Sequence, residues 1–110
     1  LDVRTPERFR GESEPIDPVA GHVPGAINLP LQSNLDSDGF LLPAAELHDI
    51  YDRVIGARQA TGVVAMCGSG VSACHSLLAM EVAGLGGSRL YAGSWSEWIR
   101  DPGRPVATGS

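Results

Sequence analysis

The stretch Val63-Val64-Ala65-Met66-Cys67-Gly68-Ser69-Gly70-Val71-Ser72-Ala73 leaves this chain few ways to fold. An apolar run bounded by turn formers ends in a cysteine, a glycine-rich turn follows, and a helical pattern begins. Such a run reads as a buried parallel strand, and ligands bind at the carboxyl ends of strands in open α/β sheets. Cys67 falls at that end. Gly68 and Gly70 permit a tight turn, so the backbone N–H groups of Gly68, Ser69, Gly70, Val71 and Ser72 can converge above the sulfur. The following helix aims its positive end at the same point, and the two effects together favour a thiolate. The expectation is a nucleophilic cysteine beneath an anion-binding nest.

Length and charge narrow the surroundings of that cysteine. At 110 residues the chain has the size of a single domain. Its formal net charge of −5 argues against nucleic acid, because phosphate binding needs clustered cations. All eight basic residues are arginines, which excludes both a Walker-type lysine and a Schiff base. No apolar run approaches the roughly 18 residues that span a membrane. Two cysteines, Cys67 and Cys74, do not make a secreted disulfide framework, which points to a reducing cytoplasm. No paired spacing of histidine and cysteine suggests a metal, and no cofactor is expected. Leu1-Asp2-Val3-Arg4 reads as the second half of a strand. This leads to the expectation of one domain, 1–110, taken from a longer protein.

Along the chain, Pro6 to Gly11 suits a short helix closed by glycine, and Glu12 to Ala20 reads as a polar, solvated acidic loop. His22 to Pro30 gives a turn and a short strand. Asn34 to Gly39 reads as a solvated turn; its likeness to a calcium loop fails at the twelfth position, Ala45. Pro43 opens a helix whose apolar stripe is Leu47, Ile50, Tyr51 and Val54, and which ends at Gly56. A second long helix is expected from Ser72 or Ala73 to Ala83, packing through Leu77, Leu78, Met80 and Val82, with Gly84 as its cap. Arg89 to Ala92 is a further strand. Ser94-Trp95-Ser96-Glu97 matches a capping box and places a last helix at Trp95 to Arg100. Strands alternating with helices imply an α/β domain with a parallel sheet covered on both faces.

Four segments, in order, resemble the rhodanese-type sulfurtransferases. They are Asp2-Val3-Arg4 with Arg8-Phe9-Arg10-Gly11, then Gly21 to Asn28, then Cys67 to Ala73, then Tyr91-Ala92-Gly93-Ser94-Trp95-Ser96-Glu97-Trp98. The likeness is greatest to the catalytic, C-terminal half of two-domain thiosulfate and 3-mercaptopyruvate sulfurtransferases. It implies a rhodanese-like fold, with a central parallel sheet of about five strands and helices on both faces. It also implies a partner rhodanese domain on the N-terminal side. The activity implied is transfer of a sulfur atom through a Cys67 persulfide to a thiol or cyanide. Arg8 matches the position whose guanidinium binds a small anionic sulfur donor, with Ser69 as a second substrate contact. The persulfide would be held by the loop Gly68, Ser69, Gly70, Val71 and Ser72. Gly68-Ser69-Gly70 resembles the loop of mercaptopyruvate enzymes, whereas Asp17 stands where those enzymes often carry a second arginine. The donor stays open between the two.

Simpler roles compete at several positions. A cysteine-loop phosphatase or arsenate reductase needs an arginine six residues after the cysteine, and that position is Ala73. A non-catalytic, regulatory module is disfavoured by the intact Cys67. Cys74 is expected to be a small packing residue, His22 to bond loop backbone, and His75 to be exposed or capping. Trp95 and Trp98 read as core or interface anchors, and Arg4 with Asp2 as a structural ion pair.

Overall fold

The computed structural model describes residues 1–56 and 59–110. Among them are four α-helices, α1 (Pro6–Arg10), α2 (Ala44–Ile55), α3 (Val71–Val82) and α4 (Ser94–Trp98), and two strands, β1 (Val64–Ala65) and β2 (Arg89–Leu90). Short 3₁₀ turns cover Leu31–Asn34 and Ala60–Gly62. β1 and β2 pair in parallel, Val64 against Arg89 and Ala65 against Leu90. The regular ladder is therefore two-stranded, against an expectation of about five strands, but parallel pairing continues beyond it. Asp2 forms parallel bridges with Met66 on one side and Asn28 on the other. Its neighbours complete the pattern: Val3 N–H donates to Met66 O at 3.0 Å, and Leu29 N–H to Asp2 O at 2.9 Å. Residues 1–3 thus lie between residues 27–29 and 64–66.

Side chains alternate across this pleat. Val3, Ala65 and Cys67 pack together against Ala73 of α3. Asp2, Arg4 and Met66 turn to the other face, where the Arg4 guanidinium lies 4.8 Å from the ring centroid of the fully buried Trp95 in α4. Both faces are covered in this way, as an α/β arrangement requires. No helix among the described residues is long and apolar enough to cross a membrane.

α2 starts one residue after Pro43 and buries Leu47, Tyr51 and Ile55, a stripe at i, i+4 and i+8 that packs on Ala79 and Met80 of α3 and on Ala83, which caps it. α3 begins slightly earlier than its pattern suggests, at Val71. It buries Ala73, Ser76, Ala79 and Met80, while Leu78 and Val82 are exposed, contrary to expectation. Small side chains let α3 sit close to the sheet, and that leaves its larger aliphatic residues on the outer side. Cys74 is also exposed rather than packed. Its sulfur lies 3.4 Å from the Gly70 carbonyl.

The junction of α2, α3 and the Leu31–Asn34 turn is polar and buried. Burial pushes the Tyr51 hydroxyl above its ordinary range, so it is a proton donor at working pH. It donates to Asn34 Oδ1 at 2.6 Å, and Asn34 Nδ2 donates to Ser76 Oγ at 3.2 Å. Asn34 is therefore an interior residue and not part of a solvated turn, because its amide joins two helices. A buried acceptor stripped of its donor is costly, so Tyr51→Phe is expected to destabilise the domain by about 1.5 kcal/mol. Urea unfolding checks this as a lowered midpoint with an unchanged slope.

Candidate active site

Cys67 lies two residues beyond β1, directly after the Met66 bridge, and is buried, 3% exposed. Three contacts fix it. Its N–H donates to Ser94 Oγ at 3.1 Å, its carbonyl accepts from Trp95 N–H at 3.0 Å, and its Sγ accepts from Gly70 N–H at 3.0 Å. The last bond needs glycine. Gly70 has φ +94°, and a Cβ there would stand 2.4 Å from the Ala92 carbonyl oxygen. Gly70 leads directly into Val71, the first residue of α3, so the positive end of that helix faces the sulfur.

The capping box read from Ser94 to Glu97 does not form. The Ser94 hydroxyl donates to Tyr91 O at 2.8 Å while it accepts from Cys67 N–H, so it is committed to the cysteine strand and not to its own helix. Its backbone sits at φ 52°, unusual for a residue with a side chain. Serine tolerates that conformation here because its hydroxyl bridges two strand ends. Ser96 N–H then donates to Gly68 O at 2.9 Å, lacing α4 to the turn after the cysteine.

A cavity of about 130 Å³ opens beside Cys67, lined among others by Arg4, Arg8, Gln32, Gly68 and Ser72. The Arg8 guanidinium lies over Gly68, close enough that a Cβ at that position would meet Arg8 Nη2 at 3.2 Å. Cys67, Gly68, Ser72 and Arg8 thus converge, as the sequence suggests. Ser69 is exposed and, with Gly70 and Val71, is not among the residues that line this cavity. A larger cavity of about 280 Å³, bounded by Ile27, Val54, Ile55 and Val63 among others, presents no nucleophilic or ionisable side chain among the described residues.

The acidic loop is solvated at Glu12, as expected, but Glu14 and Asp17 turn inward. Glu14 accepts from Arg8 Nε at 3.2 Å and Nη2 at 3.1 Å, and its Oε1 lies 3.4 Å from Arg4 Nη1. Its Oε2 also accepts from the N–H groups of Ile16 and Asp17, at 3.1 and 3.0 Å. Asp17 accepts from Ser96 Oγ at 2.8 Å, and its Oδ2 lies 3.7 Å from Arg8 Nη2. Arg4 in turn binds Asp2 at 2.8 Å and donates to Gly21 O at 2.7 Å. Sequence reasoning anticipated the Arg4–Asp2 pair and singled out Asp17 as the place of a missing arginine, but missed the Glu14 ion pairs, the Asp17–Ser96 contact and the bond of Ser94 to Cys67. The available signal was two interior arginines, Arg4 and Arg8, that needed more than one carboxylate. His22 bonds backbone as expected, but that of α1 and not of a loop: its Nδ1 lies 2.7 Å from Phe9 O and its ring stacks on Phe9 at 3.8 Å.

The fold and this loop define a class: an α/β domain that presents a cysteine at a strand-to-helix turn beneath an ion-paired arginine. The chain belongs to the rhodanese-like domain family, whose model matches residues 1–101. A "Probable 3-mercaptopyruvate sulfurtransferase" of Pseudomonas aeruginosa is 58% identical over 109 residues, 99% of this chain and 38% of that protein. The thiosulfate sulfurtransferase of Rattus norvegicus is 36% identical over 104 residues, 91% of this chain and 34% of its own length. A solved 3-mercaptopyruvate sulfurtransferase from Leishmania major superposes with a TM-score of 0.76 at 37% identity, covering 92% of this chain and 30% of that one. The chain therefore spans little more than a third of the relatives it matches.

Burial pushes the Glu14 carboxyl up, but the Asp17 N–H, Arg8 and the Ile16 N–H outweigh it and hold the carboxyl below its ordinary range. A carboxyl depressed in the folded state contributes stability above its unfolded value of about 4.3, lost as pH falls through the folded value. Glu14→Gln is expected to lower stability at neutral pH and to flatten its fall below about pH 4.3. Urea midpoints measured from pH 7 to pH 3 check both.

Proposed function

We propose that this domain transfers a sulfane sulfur from thiosulfate or 3-mercaptopyruvate to a thiol or cyanide through a persulfide on Cys67. One observation carries the reading: Cys67 Sγ accepts the Gly70 N–H at 3.0 Å, at the floor of a small cavity roofed by the Arg8 guanidinium. A thiolate held by a backbone N–H and a helix terminus stays anionic without being handed a proton, and so does the persulfide it becomes. The Cys67 thiolate attacks the outer sulfur of thiosulfate, the S–S bond breaks, and sulfite leaves with the electron pair. With 3-mercaptopyruvate the attack falls on the thiol sulfur, the C–S bond breaks, and the thiol proton balances the methyl group of the pyruvate released. An acceptor then attacks the sulfane sulfur and restores the thiolate.

Arg8 is the donor's anchor in this reading. Glu14 takes the Nε and Nη2 edge of the guanidinium, and Nη1 has no hydrogen-bond partner among the described residues, which leaves donors free for a carboxylate or sulfonate oxygen. Gly68, Ser69, Gly70, Val71 and Ser72 form the persulfide loop, with the Ser69 hydroxyl reaching substrate from the exposed side. The domain is one of two in a longer cytoplasmic protein, supported by the length of the relatives it matches. Its sheet extends to about five parallel strands in the complete fold, supported by the bridges on both sides of Asp2.

Cys67→Ser is expected to abolish transfer and the gain of about 32 Da that marks one added sulfur, while leaving the unfolding midpoint near that of the parent. Intact-mass spectrometry after donor treatment checks the first, and transfer by the serine variant would refute the mechanism. Arg8→Ala is expected to lower kcat/KM for the donor about 100-fold, because it removes a charge-assisted contact, while the acceptor half-reaction changes little. Single-turnover measurement of the two half-reactions separates these effects.

A further inference from the structure

Asp17 is the least compensated charge near Cys67. Three carboxylates, Asp2, Glu14 and Asp17, face two guanidinium groups, Arg4 and Arg8. Asp2 is chelated by Arg4, and Glu14 is bound by both arginines and by two backbone N–H groups. Asp17 is different. Its side chain is 10% exposed, Oδ1 has the Ser96 hydroxyl, and Oδ2 is buried without a hydrogen-bond partner among the described residues. Its nearest cation, Arg8 Nη2 at 3.7 Å, is already held by Glu14 at 3.1 Å. A carboxylate so placed is weakly screened, and its field passes through Arg8 into the cavity.

Resting on the sulfur-transfer reading, we propose that Asp17 sets donor specificity by charge, selecting a singly charged carboxylate donor such as 3-mercaptopyruvate over doubly charged thiosulfate. Arg8 must attract the donor while Glu14 and Asp17 cancel its charge. The repulsion from Asp17 scales with the donor's charge, so the dianion meets about twice the penalty of the monoanion. Asp17 touches no donor in this account. It is a positioning residue that acts through Arg8 and is held there by Ser96, whose N–H also binds Gly68 O.

The test uses the full-length protein and Asp17→Asn, which keeps shape and removes charge, with thiosulfate and 3-mercaptopyruvate compared against one common acceptor. In the variant, the kcat/KM ratio of thiosulfate to 3-mercaptopyruvate is expected to rise about tenfold, mainly through a lower KM for thiosulfate. A merely structural role would lower both donors together and leave the ratio where it was. An unchanged ratio, a shift toward 3-mercaptopyruvate, or a parent enzyme that uses thiosulfate alone overturns the proposal. Should Asp17→Asn not fold, Asp17→Ser removes the same charge and is read by the same ratio. Persulfide mass on Cys67 keeps the two readings apart. If neither donor loads the parent, the sulfur-transfer reading itself fails; loading with an unmoved ratio removes only the role of Asp17.

Discussion

The buried Glu14 carboxylate is the tie on which the site depends. It receives Arg4 from the end of the central segment 1–3, Arg8 from α1, and two N–H groups from its own loop. Burying a carboxylate with two guanidinium groups is costly unless nearly every polar atom finds a partner. Here the partners come from elements that share no local sequence. Arg4 also reaches Asp2, the Gly21 carbonyl and the face of Trp95, so one cluster of charges joins the first strand, the loop after α1 and α4. Cys67 and Arg8 hold their relative positions because this cluster is satisfied. The hydrogen bonds serve geometry more than stability, since an apolar substitute for the cluster could pack as well but could not aim a cation at the sulfur.

What was legible in the sequence is what the chain decides locally. The apolar run, the cysteine and the glycine turn announce themselves within a few residues, and the Leu47–Tyr51 stripe of α2 follows from helical periodicity. What was hidden depended on partners far along the chain. Ser94 carries the signature of a helix cap, yet its hydroxyl bonds Cys67, 27 residues away. Glu14 and Asp17 lie in a polar, proline-containing loop and would be solvated alone; Trp95 Nε1 donating to Val19 O and Ser96 Oγ to Asp17 hold that loop against α4. The face of α3 was misread for a related reason. Its hydrophobicity is spread around the helix, and only the closeness of α2, the Leu31–Asn34 turn and the sheet decides that alanine and serine turn inward while Leu78 and Val82 turn out.

Under the proposed function, composition alone is a poor guide to donor chemistry. A glycine-serine-glycine loop and an arginine over the cysteine are features of anion binding in general, and they do not rank anions. In the proposed reading, ranking comes from a charge further out, Asp17, whose hydrogen bonds are incomplete. A fully bonded carboxylate such as Glu14 is a strut; an under-bonded one such as Asp17 remains an electrostatic influence on whatever enters.

The pairing of residues 1–3 with residues 64–66 carries a consequence for how the domain is assembled. Leu1 and Val64 are separated by 63 positions, so the innermost ladder closes a long stretch of chain and is a non-local contact that slows folding. The cysteine belongs to that ladder, since Cys67 follows Met66 and packs with Val3. Until the ladder closes, the Cys67 sulfur lacks the apolar wall that Val3 supplies. The surroundings of the sulfur therefore form no sooner than that long loop closes, and the thiol is enclosed late in folding.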